Sequence, residues 1–437
     1  MADVENIKKS AWGWLPQLYF IEGLPNAIVG SLSVTYYKSM GMGNTEVAML
    51  TSLLYLPWML KGFWGPLVDA VSTKRNWIIS CLSVFLFAFL ALAAAQFFSV
   101  WVIASAAVFW ILGFASATYD ISADGFYMLA LDERQQSFFV GIRNAFYRAA
   151  VLFGQGAMVV IAGIAQNAFG GGVADGWTVS FLLCAAILLV CLPLFKFTLP
   201  QPAEDSPRAS AEVGEIFGRI KSAFREFFAR REIFSILAFV LLYRFAEAQL
   251  TRVVQPFMLD SADCGGLSLS LAEIGLIYGT VAPIVLLCGG ILGGIFISRK
   301  GLEKSLWTMA AAINLPNIIY VYMAVCKPGS NFLIALLIAV EQFGYGFGFA
   351  GYMVFLIFAS KGKNKTSNYA ICTSLMALGL IFPGIFSGKI QSVLGYSGFF
   401  VWVMFATLVS FAVTALALKV VRGKGREIPD KSSNCAG

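Results

Sequence analysis

Two aspartates, Asp120 and Asp124, stand four residues apart in the stretch ATYDISADGF (117–126), directly after an apolar run. Residues at i and i+4 lie about 6 Å apart on one face of a helix, so both carboxyl groups are expected on the same face. Two like charges in a medium of low dielectric constant do not both ionise cheaply, and at least one of the two is expected to hold a proton. A carboxyl group that exchanges a proton inside an apolar helix is what a proton-coupled conformational change requires.

Arginines accompany these carboxyl groups on the next apolar segment. Arg143 and Arg148 begin the antiparallel neighbour and are expected to reach similar depths. A carboxylate pair that faces arginines can adopt two pairings, one protonated and one not. The sequence therefore predicts Asp120 and Asp124 as proton carriers with Arg148 as counter-charge. Alternatively, Asp124 is a structural partner of Arg143 or Arg148.

Other ionisable side chains also lie within apolar segments, at Glu22, Lys61, Arg244, Glu247, Arg252, Glu341 and Lys389. A charge at the centre of a membrane helix costs about 2.5–3.5 kcal/mol, so such residues face a cavity or one another. The planar guanidinium of arginine matches a carboxylate or phosphate and favours an anionic substrate. We therefore assign Glu22 and Glu341 to proton coupling as well. Substrate binding is assigned to Arg143, Arg148, Arg244, Glu247, Tyr119 and Tyr147.

The chain contains no histidine, and its 8 cysteines are scattered singly, without a CxxC pair or metal-ligand spacing. The lack of histidine excludes histidine metal sites, Ser-His hydrolase triads and histidine proton relays. No catalytic residue, metal or cofactor is predicted, and proton chemistry near neutral pH falls to carboxyl groups. Orientation in a membrane explains the net charge of +7, so no nucleic-acid partner is expected.

The composition is that of a membrane protein. Hydrophobic residues make up 59% of the 437 residues and charged residues 13%, compared with about 45–50% and about 25% in soluble domains. A bilayer core of about 30 Å needs about 20 apolar residues per helix, and several stretches reach that length. Strand-like alternation is absent, which argues against an outer-membrane barrel. The predicted fold class is an all-α membrane protein embedded in the lipid bilayer.

Twelve segments are predicted to cross the membrane, at 13–36, 46–67, 76–97, 100–125, 138–166, 177–198, 233–258, 270–297, 304–325, 332–359, 367–391 and 397–420. An even number of spans places both termini on one side. The loops on that side carry nearly all the loop lysines and arginines, whereas the opposite loops hold only Lys38 and Lys327. By the positive-inside rule, both termini are predicted to be cytoplasmic. The first ten residues lack a small-residue cleavage site and are interpreted as a retained tail.

A long polar interval divides the spans six and six. The predicted organisation is a bundle at 1–198, a cytoplasmic linker at 199–232, a second bundle at 233–420 and a cytoplasmic tail at 421–437. Within the linker, Ile216, Ile220, Phe224 and Phe228 have the spacing of an amphipathic helix on the membrane surface. A simple tether between the bundles is the alternative.

The two halves also echo each other in sequence. LYFIE at 18–22 corresponds to LYRFAE at 242–247, and GPLVD before the basic pair at 74–75 corresponds to GIFIS before the pair at 299–300. Repeated halves are typical of transporters that bind substrate near the membrane midplane, between the repeats.

The element from Gly65 through Asp69 to Lys74 and Arg75 resembles the loop between spans 2 and 3 of the major facilitator superfamily. In that superfamily the acid caps a neighbouring helix and pairs with basic residues, holding the halves together on the cytoplasmic side. The resemblance implies a cytoplasmic gate made of Lys61, Gly65, Asp69, Lys74 and Arg75. Ala70 stands where the superfamily usually has an arginine.

Several stretches resemble, more narrowly, the peptide/acetyl-CoA/drug transporter family within that superfamily: KGFWGPLVD (61–69), SATYDISADGF (116–126), LYRFAEA (242–248) and EQFGYGFG (341–348). The similarity extends from span 1 to span 11. It implies a proton-driven importer of anhydro-muropeptides in the bacterial inner membrane, used in cell-wall recycling. Glu22 and Arg143 depart from the family pattern and leave the substrate open.

The function predicted is a monomeric, proton-coupled secondary transporter that works by alternating access. Its substrate would be a small anionic molecule, a sugar-peptide or related saccharide. The alternatives are a uniporter or exchanger of a bulky anion such as a CoA ester, a drug-like exporter, and a non-transporting sensor that signals through the linker. An intramembrane enzyme is disfavoured by the absence of histidine and by the repeat symmetry.

Overall fold

A computed structural model describes residues 11–168, 171–206, 218, 221–222, 224–360 and 365–426, and the described part is helical without strands. Eight of its helices are long and apolar enough to cross a membrane. Two of these, Leu271–Cys326 and Ile371–Arg422, are long enough to cross twice. The first two predicted spans are each assembled from shorter helices. The all-α class is therefore confirmed, and the helices accommodate twelve crossings.

The first half contains spans 1 to 6. Its helices are Leu15–Ala27, Ile28–Leu32 and Ser33–Ser39 (span 1), Asn44–Leu53 and Leu56–Val71 (span 2), Lys74–Ala95 (span 3), Trp101–Ala130 (span 4), Glu133–Leu152, Phe153–Ala157 and Met158–Ala168 (span 5), and Val173–Thr198 (span 6). The segments Ile28–Leu32 and Phe153–Ala157 are π-helical turns. Such turns interrupt the regular hydrogen-bond ladder and are frequent at functional sites.

The second half contains spans 7 to 12. Its helices are Ile233–Leu242 and Phe245–Leu259 (span 7), the short Ala262–Cys264, then Leu271–Leu276, Ile277–Val281 and Ala282–Asn314 (spans 8 and 9), Leu315–Asn317, Ile318–Cys326 (end of span 9), Asn331–Ala359 (span 10), and Lys365–Arg426 (spans 11 and 12). Span 8 passes into span 9 at Gly301 (φ 78°) and span 11 into span 12 at Gly395 (φ 66°). Glycine adopts this left-handed backbone without the clash of a Cβ atom.

Span 5 begins earlier than the sequence analysis expected, at Glu133 rather than 138. The Asp132 carboxylate accepts a hydrogen bond from the Gln135 backbone N–H (2.8 Å), and the Gln135 side chain accepts one from the Asp132 N–H (3.1 Å). This capping box satisfies two free donors and fixes the helix start. Arg143 consequently lies about 15 Å along the helix from its first residue, deep enough to face span 4.

The two halves touch through glycines along two seams. A Cβ atom added to Gly156 of span 5 would lie 2.8 Å from the Gly279 carbonyl oxygen of span 8, and one added to Gly388 of span 11 would lie 2.7 Å from the Thr45 Cα atom of span 2. Real Cβ atoms do not approach so closely, so only glycine allows this backbone contact. The seams hold spans 5 and 8, and spans 2 and 11, against each other.

A polar network closes one membrane face. We call the face where span 1 starts and span 12 ends the terminal face, and the other the distal face. On the distal face the Lys38 ammonium pairs with Asp260 (2.6 Å), the Tyr396 hydroxyl donates to the same carboxylate (2.5 Å), and the Asn44 amide donates to Tyr396 (2.8 Å) and Gln391 (2.9 Å). We call these five residues the distal latch. They join the halves because the first half supplies Lys38 and Asn44.

The apolar core of the second half is split along its spans. One buried cluster contains Phe239, Tyr243 and Tyr352, and a second contains Leu250, Ile338 and Phe400. Along span 7, Arg244 and Glu247 occur where the first cluster gives way to the second, and Glu341 does so along span 10. A polar layer therefore crosses the second half, whereas a single cluster fills the first half.

The linker meets both halves. Phe224 lies 6.1 Å, ring to ring, from Phe63 of span 2, Phe227 is fully buried in the core of the second half, and Arg230 hydrogen-bonds the Ala359 carbonyl oxygen. Phe228 is 43% exposed. Ile216 and Ile220 of the predicted amphipathic helix lie outside the described residues. The sequence analysis expected this helix on the membrane surface. Its described residues instead pack on one side against both halves of the protein.

The start of the linker caps span 3. The Asp205 carboxylate accepts hydrogen bonds from the backbone N–H groups of Lys74 (2.7 Å) and Arg75 (3.0 Å), the first two residues of that helix. The Arg75 side chain in turn donates to the carbonyl oxygens of Lys196 (2.8 Å) and Leu199 (3.3 Å). These contacts fasten residues 199–205 to the first half.

We expect Asp205→Ala to destabilise the protein by about 1 kcal/mol, the usual cost of losing an acidic helix cap. The melting temperature of the detergent-solubilised protein measures this, with the exposed neighbour substitution Glu204→Ala as control. Equal melting temperatures for the two variants would show that the cap does not contribute.

Candidate functional site

A cavity of about 890 Å³ lies among spans 1, 2, 4 and 5, in the terminal half of the membrane. We call it the polar cavity. Its polar lining consists of Tyr19, Glu22, Asn26, Lys61, Asp120, Arg143, Asn144, Tyr147 and Arg148. Six residues that the sequence assigned to proton coupling, substrate binding or the gate therefore share one cavity.

Asp120 pairs with a lysine of span 2. Lys61 lies within the helix Leu56–Val71, and its ammonium group hydrogen-bonds the carboxylate of Asp120 on span 4. The Asp120 side chain is 19% exposed and that of Lys61 is 39% exposed. Arg148 has no ion-pair partner among the described residues. The expectation that Arg148 neutralises Asp120 is thus corrected, because span 2 and not span 5 supplies the cation.

Asp124 pairs with Arg143, as the alternative interpretation expected. The Arg143 guanidinium lies 2.9 Å from Asp124 Oδ1, and the Tyr19 hydroxyl donates to the same oxygen at 3.3 Å. The guanidinium also lies 4.6 Å above the Tyr19 ring and 5.5 Å from the centre of the Tyr127 ring. Cation–π contacts of this kind contribute about 0.5–2 kcal/mol each. Spans 1, 4 and 5 thus hold one carboxylate jointly.

Glu22 adds a third carboxyl group. It is 6% exposed, its Oε2 has no hydrogen-bond partner, and it interacts with both Asp120 and Asp124. Three carboxyl groups therefore face two cations, Lys61 and Arg143, inside one cluster. We call these five residues the carboxylate cluster. Full ionisation would leave one carboxylate of the cluster without a paired cation, and Glu22, the most buried of the three, is the most costly to ionise.

A second cavity of about 390 Å³ lies between the two halves. We call it the central cavity. It shares the lining residues Asn26, Tyr147 and Arg148 with the polar cavity, so the two cavities are adjacent. Its other polar lining residues are Ser31, Tyr55, Gln155, Arg244, Glu247, Thr251, Arg252, Gln255, Tyr278, Gln342 and Tyr345. Arg148 and Tyr147, both predicted to bind substrate, therefore stand at the junction.

Arg244 and Glu247 of the second half line the central cavity, whereas Glu341 is buried and does not line it. Arg244 hydrogen-bonds the Tyr345 hydroxyl and lies 4.9 Å from the centre of the Phe349 ring. Glu341 accepts hydrogen bonds from Tyr320 (2.8 Å) and Gln342 (2.9 Å) through Oε2. Glu247 is 2% exposed and lines the cavity. Glu341, predicted to couple protons, thus lies with Glu247 in the second half, apart from the carboxylate cluster.

Tyr119 does not line either cavity. Its side chain is completely buried, its hydroxyl donates to the Leu18 carbonyl oxygen at 3.0 Å, and its ring packs 5.6 Å from that of Phe85. Adjacent helix residues point about 100° apart, so Tyr119 does not share the cavity face of Asp120. Its predicted role in substrate binding is corrected to one in core packing.

The residues predicted to form the cytoplasmic gate lie in different parts of the structure. Lys61 belongs to the carboxylate cluster, and Arg75 binds the linker start rather than the second half. Lys74 lies beside Gly125 of span 4, because a Cβ atom there would meet the lysine side chain at 2.8 Å. Gly65 faces Ile121, and the Asp69 side chain lies outside the described structure. Gate function for this element stays a prediction.

Arg252 is the site residue that the sequence interpretation undervalued. The sequence analysis placed it within an apolar segment without assigning it a role, yet it is 5% exposed and lines the central cavity. Its guanidinium lies 4.9 Å from the centre of the Tyr55 ring and donates to the Gly30 carbonyl oxygen at 3.3 Å. Its sequence context could have indicated a role. Arg252 stands three residues from Gln249 and three from Gln255, and these polar residues share one face of an otherwise apolar span.

Comparison with known proteins decides the family. Residues 18–360 match the Major Facilitator Superfamily. The chain belongs to this superfamily. Superfamily membership makes it a multi-pass membrane transporter and not an enzyme. In the part of the chain that the structure describes, no group of three His, Cys, Asp or Glu side chains is arranged so that it could hold a metal ion.

Relatives of this superfamily member cover nearly its whole length. A Rickettsia conorii protein named putative transporter AmpG 4 is 25% identical over 411 residues, covering 90% of this chain and 92% of that one. The anhydromuropeptide permease of Escherichia coli K12 is 22% identical over 416 residues, covering 92% and 78%. Among solved structures, a bacterial homologue of the lysosomal transporter Spinster has a TM-score of 0.71 at 13% identity, covering 98% and 99%; the nucleoside transporter NupG has 0.67 at 17%, covering 94% and 99%. The structural likeness shows the fold.

Proposed function

We propose that this transporter is a proton-coupled importer of an anionic sugar-peptide or related saccharide in the bacterial inner membrane, with both termini in the cytoplasm. The observation that carries the proposal is the carboxylate cluster, in which three carboxyl groups share two cations beside an open cavity. The names of the relatives, permease of anhydromuropeptides and AmpG 4, support the substrate class.

The charge balance of the cluster supports proton binding. Asp120 and Asp124 each have a cation, through Lys61 and Arg143, while Glu22 has none of its own. One proton shared among the three carboxyl groups makes the cluster neutral. Losing that proton leaves a net negative charge that must draw in a cation or repack, and this difference between two states is what couples proton movement to conformation.

The cavities support entry of the substrate to the same place. The polar and central cavities, of about 890 and about 390 Å³, match the range of about 300–1,000 Å³ found for small-molecule sites. Arg148 is exposed at their junction and has no described ion-pair partner. Its guanidinium is thus free to bind a carboxylate in a planar, two-pronged arrangement.

The positions of the hydrogen bonds between the two halves support a state that is open toward the cytoplasm. Among residues that the structure describes, the hydrogen bonds between the halves all lie toward the distal face, within 30–44, 252–260 and 391–396. Asn144 and Arg148, which line the polar cavity in the terminal half, are exposed. If the terminal face is cytoplasmic, as the charge of the loops predicts, this state releases substrate into the cell. The bundles at 1–198 and 233–420 would then rock about the site, tethered by the linker.

Uptake into proteoliposomes tests the proposal. We expect a labelled anhydro-muropeptide to accumulate inside vesicles when an inward proton gradient is imposed, and an ionophore that collapses the gradient to reduce accumulation to equilibration. Accumulation that ignores the gradient would contradict proton coupling and favour an exchanger or uniporter. Failure to take up the glycopeptide, alongside uptake of a CoA ester, would contradict the substrate class.

A further inference from the structure

Three carboxylate oxygens of the polar layer in the second half lack hydrogen-bond partners. They are Oε1 and Oε2 of Glu247 and Oε1 of Glu341. The side chains are 2% and 1% exposed, and the two carboxyl groups interact with each other. A buried carboxylate without a partner is costly, so these oxygens call for a partner that the chain itself does not supply.

The neighbouring arginine does not satisfy Glu247. No ion pair within 4.0 Å joins Arg244 to Glu247 among the described residues. The guanidinium is instead engaged with the hydroxyl of Tyr345 and lies over the rings of Tyr345 and Phe349. The acceptors of Glu247 are therefore left for a group that arrives through the central cavity, which Glu247 lines.

A proton alone does not satisfy these acceptors. No hydrogen bond joins the Glu247 and Glu341 carboxyl groups, and one bound proton would leave two of the three oxygens without a donor. A primary ammonium group carries three N–H donors and a positive charge. Two of these donors match the two free oxygens of Glu247, which lines the cavity, and the positive charge offsets one of the two carboxylates.

We propose that Glu247, backed by Glu341, binds a primary ammonium group of the substrate while Arg148 binds its carboxylate. The transported molecule is then zwitterionic, with its cationic end toward the second half and its anionic end toward the first. Because Arg148 and Glu247 line the same central cavity, one molecule reaches both. This inference deepens the proposed function and rests on it.

Two probes that differ in one group test the inference: an anhydro-muramyl tripeptide ending in lysine, and the same compound with the lysine Nε acetylated. We expect reconstituted wild-type protein to take up the amine at least 10-fold more efficiently, since a charge-assisted hydrogen bond is typically worth about 10- to 100-fold in affinity. Glu247→Gln should lower uptake of the amine to the level of the acetylated probe, so that the preference for the amine is lost. Residual uptake of both probes by the variant reports that it folds.

The matched control is Glu303→Gln, an exposed carboxylate paired with Arg422 outside the cavities, which should keep the wild-type preference. Equal wild-type uptake of both probes, or equal loss of both in Glu247→Gln, would overturn the ammonium site while leaving the proposed importer intact. Wild-type uptake of neither probe would overturn the proposed function and this inference together.

Discussion

Replacing Asp120 by Asn is expected to abolish substrate accumulation driven by the proton gradient. Counterflow, the exchange of labelled for unlabelled substrate across the membrane, is expected to remain intact. Asparagine keeps the size of the side chain and a hydrogen-bond acceptor for Lys61, but it removes a carboxyl group from the carboxylate cluster. The cluster then holds two carboxyl groups and two cations, Glu22 with Asp124 and Lys61 with Arg143, and is neutral without a proton. Coupling is lost because the protein no longer needs the proton to balance charge.

We expect the accumulation ratio of Asp120→Asn to fall at least about tenfold toward equilibration, a change of about 1.4 kcal/mol in driving force. Accumulation under an imposed pH gradient and counterflow without one are measured on the same vesicles. Counterflow near the wild-type rate shows that substrate binding and alternation survive.

The ion pair itself needs a separate control. Removing one partner of a buried pair leaves the other charge uncompensated and is strongly destabilising, whereas removing both is often neutral. Lys61 is 39% exposed, so part of this cost is screened by solvent. The double variant Asp120→Asn with Lys61→Gln should therefore recover any loss of expression seen in the single variant. It should also recover accumulation, because Glu22 and Asp124 then face Arg143 alone and one proton again makes the cluster neutral. Accumulation that stays lost in the double variant would show that Asp120 itself, and not the charge balance of the cluster, couples the proton.

The carboxylate cluster shows how far sequence reasoning reaches. The spacing of Asp120 and Asp124 predicted two carboxyl groups on one helix face, because helix periodicity is a local property. The partner of Asp120 was not predictable in this way. Lys61 lies 59 residues away on span 2, and only the packing of spans 2 and 4 brings the two together. Capping chemistry at Asp132 also moved the start of span 5, which set the depth of Arg143.

Sequence patterns did not predict the contacts between the two halves. The fold class and the division into two sets of spans follow from length, hydropathy and repeated motifs. Lys38 was identified only as a rare cation in the loops opposite the termini, and Asp260 was not singled out. Their pairing depends on how the two halves pack against each other, and the glycine seams of that contact carry no charge pattern. Sequence patterns therefore indicated which residues are costly in lipid but not which residues satisfy them.

The distal latch provides the second large effect. Replacing Asp260 by Asn should shift the protein toward a state open at the distal face. The side chains of Lys38 and Asp260 are 12% and 21% exposed, so their ion pair is mostly desolvated. Breaking such a pair costs up to about 3–5 kcal/mol when fully buried. Allowing for the remaining solvation, we expect about 2 kcal/mol, a change of about 30-fold in the ratio of closed to open molecules.

Access to a cysteine behind the latch measures this shift. Thr251 lines the central cavity, and Thr251→Cys is labelled from the distal side by an impermeant maleimide after the exposed Cys264, Cys288 and Cys326 are replaced by serine. We expect slow labelling with the intact latch and labelling about 30-fold faster with Asp260→Asn, provided that opening is rapid and labelling limits the rate.

Two variants serve as controls. Labelling should stay slow in Asp263→Asn, which changes an exposed acid of the same loop. The exchanged pair Lys38→Asp with Asp260→Lys should restore much of the slow rate, because it keeps the attraction while reversing its direction. Unchanged labelling in Asp260→Asn would mean that contacts other than the Lys38–Asp260 pair close the distal face.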